Sequence, residues 1–402
     1  MFNLQNFISE HITHRRQSFF AADMERFHDK LSGHISGRSV LVIGGAGTIG
    51  SSFIKALLPF KPSRLVVVDT SENGLTELTR DLRSTHGMLV PDEYKTYPVN
   101  YADPVFEQIF RHYQPFGIVA NFAAHKHVRS EKDIFSVSAL LHNNVLHAGR
   151  LLALLSEAPP EHFFCVSTDK ATNPANIMGA SKKLMEDLIM SWSHRFTVST
   201  ARFANVAFSN GSLPEGFLNR LAKKQPLSAP NDVKRYFVSP EESGQICLLA
   251  CMLGETRDIF FPKLPPDSML TFSEIAVHLL EAHGLKPLLC ASEEEARLYS
   301  AQRKENDPYY PVYFFPSDTS GEKPYEEFYA GHETIEMERF SSLGVIKNTP
   351  ARPRDEMDAL LKELASLIAR PGTGKEQVVR FLEKVVPGFR HIETGKSLDQ
   401  KM

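Results

Sequence analysis

Ser39-Val-Leu-Val-Ile-Gly-Gly-Ala-Gly-Thr-Ile-Gly50 sets a short apolar, mostly β-branched run directly before glycines at Gly44, Gly47 and Gly50. The run predicts a strand buried on both faces, and Ser51 to Leu58 predicts a helix. Strand, glycine turn, helix is the order of a dinucleotide-binding unit. The glycines allow a tight turn, close approach of a pyrophosphate and close helix-on-strand packing, with Thr48 and Ile49 at the helix N-terminus where phosphates bind. A second strand, Arg64-Leu-Val-Val-Val68, ends in Asp69, about 20 residues past the turn, where an acid accepts hydrogen bonds from the adenosine ribose. That acid repels a 2′-phosphate, and no Arg or Lys follows it until Arg80, so NAD is favoured over NADP.

The same alternation continues outward. Thr96 to Val99 predicts a third strand that Pro98 confines to an edge or a bulge, with Asn100 and Asp103 placed to read an adenine edge. Gly117 to Ala124 predicts a fourth strand whose small exit residues, Ala123 and Ala124, let backbone approach a flat ligand. His125, Lys126 and His127 follow. No acidic or thiol partner is spaced for a metal site, so they read as polar lining of a nucleotide or sugar cleft, with a solvated loop as the competing reading. A helix from Leu140 to Ser156, a fifth strand at His162 to Val166 and a sixth at Thr197 to Arg202 complete the pattern. The fold class is therefore α/β, a Rossmann-type doubly wound parallel sheet, with Asp258 to Pro262 returning to it and a smaller α+β substrate-binding part beside it. The expected organisation is a helical extension over 1–35, a nucleotide-binding domain over 36–205 completed by 238–262, a substrate-binding part from 206–237 and 263–370, and a C-terminal helix and tail over 371–402.

Between the fifth strand and a helix predicted over Ser181 to Arg195 lies Val166-Ser-Thr-Asp-Lys-Ala-Thr-Asn-Pro-Ala-Asn-Ile-Met-Gly-Ala-Ser-Lys-Lys183. Ligands of open α/β sheets bind at carboxyl ends of strands, and this loop carries Thr168, Asp169 and Lys170 at such an end, with Lys182 entering the helix after Met178. Pro371 to Lys375 lacks the glycine spacing and the Ser or Thr of a phosphate loop and reads as a helix break.

At 402 residues, 42% hydrophobic and 23% charged, the chain has the composition of a globular protein. A formal net charge of -3 gives no electrostatic case for nucleic acid or an anionic membrane. No apolar run approaches the roughly 20 residues that span a bilayer, and no secretory leader opens the chain, so a cytoplasmic location is expected. The four cysteines are too few for a disulfide scaffold; Cys247 and Cys251 read as core thiols. The extension before residue 35 carries amphipathic spacing and is expected to dock on the body or on a second subunit of a homo-oligomer.

With these residues in hand, the chain resembles the extended short-chain dehydrogenase/reductases, and within them the polysaccharide-biosynthesis type of nucleotide-sugar 4,6-dehydratase that acts on UDP-N-acetylglucosamine. The resemblance spans roughly residues 38 to 330. It rests on GGAGTIG at Gly44, FAAHKHV at Phe122, VSTDKATNPANIMGASK at Val166, RFANVAFSNGS at Arg202, KRYFVSPEE at Lys234 and GEKPYEE at Gly321. Larger members carry membrane-spanning segments before this domain, so a soluble short form is expected. Two positions depart from the pattern. The usual YxxxK is Met178 to Lys182, and a thioether cannot exchange a proton as a phenol does; a subset of these dehydratases shares the methionine. The adenine-reading aspartate is Asn100.

The resemblance implies internal redox dehydration: hydride leaves the sugar C4 to NAD, water is lost across C5 and C6, and hydride returns to C6. It implies Lys170 as base at C5, Asp169 as acid on the departing hydroxyl and Lys182 on the nicotinamide ribose. With no tyrosine the C4 hydroxyl proton needs another route, and Thr168, relaying to Asp169 or water, is the candidate. These roles lead us to expect burial to move the Asp169 and Lys170 pKa values towards neutrality. Arg235 is expected on the substrate diphosphate, with Lys126, His127, Asn205 and Glu322 as further substrate contacts. A UDP or a GDP sugar, a 4-epimerase or 4-keto reductase, and a non-catalytic NAD-binding scaffold stand as alternatives.

Overall fold

A computed structural model describes residues 2–127, 131–317 and 323–392. Its centre is a nine-stranded sheet. In chain order the strands are β1 Ser39–Ile43, β2 Arg64–Asp69, β3 Glu93–Pro98, β4 Ile118–Asn121, β5 His162–Val166, β6 Thr197–Ala201, β7 Asp258–Pro262, β8 Thr334–Glu336 and β9 Leu343–Lys347. Across the sheet they run β8-β9-β7-β6-β5-β4-β1-β2-β3. From β3 to β7 every neighbouring pair is parallel. Helices cover both faces of such a sheet, which is why β1, β2 and β5 are continuous apolar runs. The chain winds outward from β1 in both directions, and the reversal between β1 and β4 opens a crevice at their carboxyl ends.

Four local differences from the sequence reading have physical causes. The third strand is Glu93–Pro98 rather than Thr96 to Val99: it is the sheet edge, its burial alternates, and Pro98 closes it where no further ladder donor is needed. The Leu140 helix starts earlier, at Ile134, and contains a π-helical segment at His142–Leu146, placing Asn143 on the crevice. The helix expected from Ser181 instead spans Ile177–Met190, because Asn176 caps it by accepting from the Gly179 N–H at 2.7 Å. Met178 and Lys182 are thus one turn apart on one helix face. Finally, β8 and β9 come from the stretch assigned to the substrate-binding part. They add antiparallel strands beyond β7, paired Ile259 with Ile346 and Ile335 with Ile346.

The second, smaller core lies on the far side of the crevice. It packs Phe208, Phe217, Ile275, Leu279 and Tyr310 around a parallel three-stranded sheet of Leu227–Pro230, Lys286–Leu289 and Tyr309–Phe315. The N-terminal extension spans both cores. Phe7, Ile8 and Ile12 enter the small one, and Phe20, Leu31 and Ile35 the large one. Between them Arg15 pairs with Glu242 at 2.9 Å, and the fully buried Asp23 accepts the Ser341 and Ser342 N–H groups at 2.7 Å each.

Candidate active site

A cavity of about 540 Å³ lies between the two cores, at the carboxyl ends of β1, β2, β4 and β5. One end is made of main chain. Gly44 has φ +75°, and a Cβ there would stand 2.5 Å from the Ala123 nitrogen, so no side chain fits where β1 meets the β4 exit. A Cβ on Gly50 would stand 2.3 Å from the Gly44 oxygen; its absence lets the Thr48–Leu57 helix press onto the turn. Gly47 differs, having only ordinary contact on the protein side and facing the cavity. It is the N-cap of that helix, and no side chain caps the helix N–H groups. These uncapped donors and the helix dipole suit a diphosphate. Asp69 closes this end at the tip of β2. Its carboxylate accepts the Ala46 N–H at 3.0 Å and the Ser71 N–H at 2.9 Å. The turn, the uncapped helix and the acid fit a dinucleotide with a free ribose edge. Thr48, Ile49, Asn100, Ala123 and Ala124 line the same end, with the Asn100 Oδ1 already accepting the Ala102 N–H at 2.9 Å.

The other end is made of side chains. Thr168, Lys170, Met178 and Lys182 line it. The Thr168 hydroxyl donates to Asp169 Oδ1 at 2.8 Å, and Lys170 Nζ donates to the same oxygen at 3.1 Å. Asp169 is buried behind these two rather than lining the cavity. Lys182, also buried, donates to the Val166 carbonyl at 3.0 Å. Burial lowers its pKa, partly opposed by Cys165 and Glu186. Lys126, His127 and Asn205 line the opposite wall, Lys126 donating to the Asn210 carbonyl at 2.8 Å.

Two expectations need correction or relocation, and a third falls outside the described residues. Burial does pull the Lys170 ammonium down, but the Asp169 and Glu326 carboxylates outweigh it, and the lysine's pKa lies above its ordinary value instead of near neutrality. Arg235 is buried and does not line the cavity; it donates to the carbonyls of Lys234 at 2.9 Å and Lys323 at 3.0 Å, behind the Asp169-Lys170 pair. Glu322 lies outside the described residues.

A family model described as polysaccharide biosynthesis protein matches residues 40–347. The chain belongs to this family. Its fold and motifs are those of an extended short-chain dehydrogenase/reductase. It is 28% identical over 324 residues to an uncharacterized membrane protein of Methanocaldococcus jannaschii, covering 79% of this chain and 87% of that one. It is 24% identical over 241 residues to a UDP-N-acetylglucosamine 4,6-dehydratase (inverting) of Campylobacter jejuni, covering 57% and 68%. Two further relatives, named in polysaccharide and capsule biosynthesis, are longer, and the chain spans 45% and 49% of their length. Among solved structures, Pen from Bacillus thuringiensis shares the fold, with a TM-score of 0.63 at 19% identity over 83% of this chain and 98% of that one. Among the described residues no helix is long and apolar enough to cross a membrane.

The segment after the small core folds back over the acid-base loop, an arrangement the sequence does not announce. Lys323 donates to the Thr172 carbonyl at 3.1 Å. Arg202, only 1% exposed, grips Glu186 at 2.8 and 2.9 Å, Glu333 at 3.0 Å, Thr172 at 3.1 Å and the Phe328 carbonyl at 3.2 Å. Glu186 also accepts the Ser167 hydroxyl at 2.6 Å. Burial would raise the Glu186 carboxyl, but Arg202 holds it below its ordinary value. The Met178 N–H is held by Glu131 at 2.8 Å. Glu326, from the GEKPYEE stretch, places Oε1 3.7 Å from Lys170 Nζ. Repeated acids in that stretch were the only sequence signal for it.

Proposed function

We propose that this chain is an NAD-dependent nucleotide-sugar 4,6-dehydratase that converts UDP-N-acetylglucosamine, or its GDP counterpart, to the 4-keto-6-deoxy sugar for glycan assembly. The observation that carries this reading is the Thr168-Asp169-Lys170 cluster, set across one cavity from an uncapped, glycine-turned helix N-terminus. An epimerisation at C4 needs no adjacent acid and base for elimination; a dehydration needs both.

Bound NAD supplies the acceptor and donor of hydride. The glycine turn and Asp69 would hold its diphosphate and ribose, and Lys182, anchored on the Val166 carbonyl, would face the nicotinamide ribose. The C4 hydroxyl proton passes to the Thr168 oxygen as the Thr168 proton moves along its 2.8 Å hydrogen bond to Asp169. Asp169, now a carboxylic acid, gives that proton to the departing C6 hydroxyl, and water leaves. Lys170 takes the C5 proton, made acidic by the C4 ketone, and returns it when hydride reaches C6. The protons balance: the one lost from O4 leaves in water, and the one at C5 is borrowed. Met178 takes no part in proton transfer and fills the floor of the site. Lys126, His127 and Asn205 serve the sugar nucleotide. The buried Arg235 acts behind Lys170 rather than on the diphosphate.

The test is incubation of the protein with NAD and either UDP- or GDP-N-acetylglucosamine in heavy water, with products read by mass spectrometry and proton NMR. Loss of one water with deuterium at C5 is expected. A C4-inverted sugar without water loss would replace this reading with the epimerase.

A further inference from the structure

Lys170 presents a difficulty that the dehydratase reading alone does not resolve. A lysine acts as a base only after losing a proton, yet two carboxylates hold Lys170 in its charged form. Asp169 cannot relieve it, because that carboxyl receives the O4 proton through Thr168 and must deliver it to C6. A second proton acceptor is needed.

We propose that Glu326 is a positioning residue for the elimination: its carboxyl takes the proton that Lys170 sheds, and so readies the amine to act at C5. This rests on the dehydratase reading. Glu326 is 6% exposed, in a segment remote in sequence from the acid-base loop. Its Oε1 stands 3.7 Å from Lys170 Nζ, so a closure of about 0.8 Å brings the two into hydrogen-bond range. Its Oε2 is buried and receives no hydrogen bond among the described residues. A buried carboxylate with an unsatisfied oxygen is costly, and protonation removes most of that cost.

The surrounding charges agree. Among the described residues the cations facing Glu326 are Lys170, Arg235 at 3.9 Å and Lys323 at 3.9 Å, and the facing anion is Asp169. Burial, reinforced by Asp169, outweighs the three cations and leaves the Glu326 carboxyl above its ordinary pKa. Transfer breaks one Lys170 N–H bond and forms one Glu326 O–H bond, turning ammonium and carboxylate into amine and acid with no change in net charge. The neutral amine then takes the C5 proton. When that proton has returned to C5, the Glu326 proton goes back to Lys170 and the pair is restored.

Glu326→Gln keeps the shape and cannot accept the proton, whereas Glu326→Asp keeps the acid one methylene short. For Glu326→Gln with NAD and UDP-N-acetylglucosamine in heavy water, water loss and C5 deuteration should fall about 100-fold or more. NAD affinity should be unchanged, and the pH profile should move alkaline, because the amine must then lose its proton to solvent. Glu326→Asp should recover part of the rate and the original profile. A Glu326→Gln enzyme with wild-type rate and profile would overturn the proposal while leaving the dehydratase reading intact. If the wild type removes water from neither sugar nucleotide, the dehydratase reading falls instead. The proton sharing is then read without turnover, by infrared titration of the protonated-carboxyl stretch. The wild type should keep such a band above the ordinary glutamate pKa of about 4.3, and Glu326→Gln should lose it. No difference between the two spectra would overturn the proposal.

Discussion

The two ends of the cavity are built from different materials. At the glycine turn the working parts are backbone donors and the absence of side chains, all within one strand-turn-helix unit and the tip of the next strand. At the Lys170 end they are side-chain charges brought together from β5, the start of the Ile177–Met190 helix, β6 and the 323–333 segment. The first end is steric and local, so single changes there should alter binding and folding in proportion to space. The second is electrostatic and shared, so single changes should alter chemistry or unbalance a buried charge.

The sharpest break between the ends is Lys170→Met. Turnover on UDP-N-acetylglucosamine should drop by about 10²- to 10⁴-fold, while NAD affinity measured by calorimetry stays within a factor of a few. Arg202→Met comes next. It leaves Glu186, which is wholly buried, without its main partner, and should cost about 3–5 kcal/mol in denaturant unfolding. At the other end, Gly44→Ala forces a side chain into a left-handed backbone against Ala123 and should cost about 1–3 kcal/mol, with NAD binding weakened in parallel. Asp69→Asn should weaken NAD about tenfold and narrow the gap between NAD and NADP, since the ribose acceptor is lost and the charge opposing a 2′-phosphate goes with it.

The smallest effect is in pH-dependent stability. The Glu326 carboxyl has a folded pKa above its unfolded value, so between the two the folded state holds the extra proton. Wild-type stability from this group is present below the unfolded pKa and is lost as pH rises through the folded one. Glu326→Gln lacks that loss, so its stability relative to wild type should increase with pH across that window, as read by urea unfolding at a series of pH values.

This division also governs what the sequence made legible. Gly44, Gly47, Gly50 and Asp69 follow one another at spacings fixed by a strand and a turn, and the fold class could be read from them because backbone geometry is local. Asp169 and Lys170 could be read for the same reason, being neighbours on one loop. Glu326 and the position of Arg235 could not. Nothing in the periodicity around GEKPYEE says which acid turns inward, and the convergence depends on the 323–333 segment folding back onto Thr172 and Arg202. The β9 strand was missed for a related cause: Leu343 to Lys347 is a five-residue run containing a glycine, and its strand character comes from pairing with β7. The shift in Lys170 was misjudged because burial was weighed without the attraction of the adjacent Asp169 carboxylate, to which tertiary structure adds Glu326.

The central claim is that one cavity oxidises a sugar at C4 and spends the same hydride at C6 after Asp169 and Lys170 have removed water. It is tested most directly with UDP-N-acetylglucosamine deuterated at C4, incubated with the protein and unlabelled NAD and followed by NMR and mass spectrometry. The account predicts a product lighter by one water that retains the deuterium, now at C6 of the same molecule. Deuterium remaining at C4 in a sugar that has lost no water, whether inverted or unchanged, would contradict it.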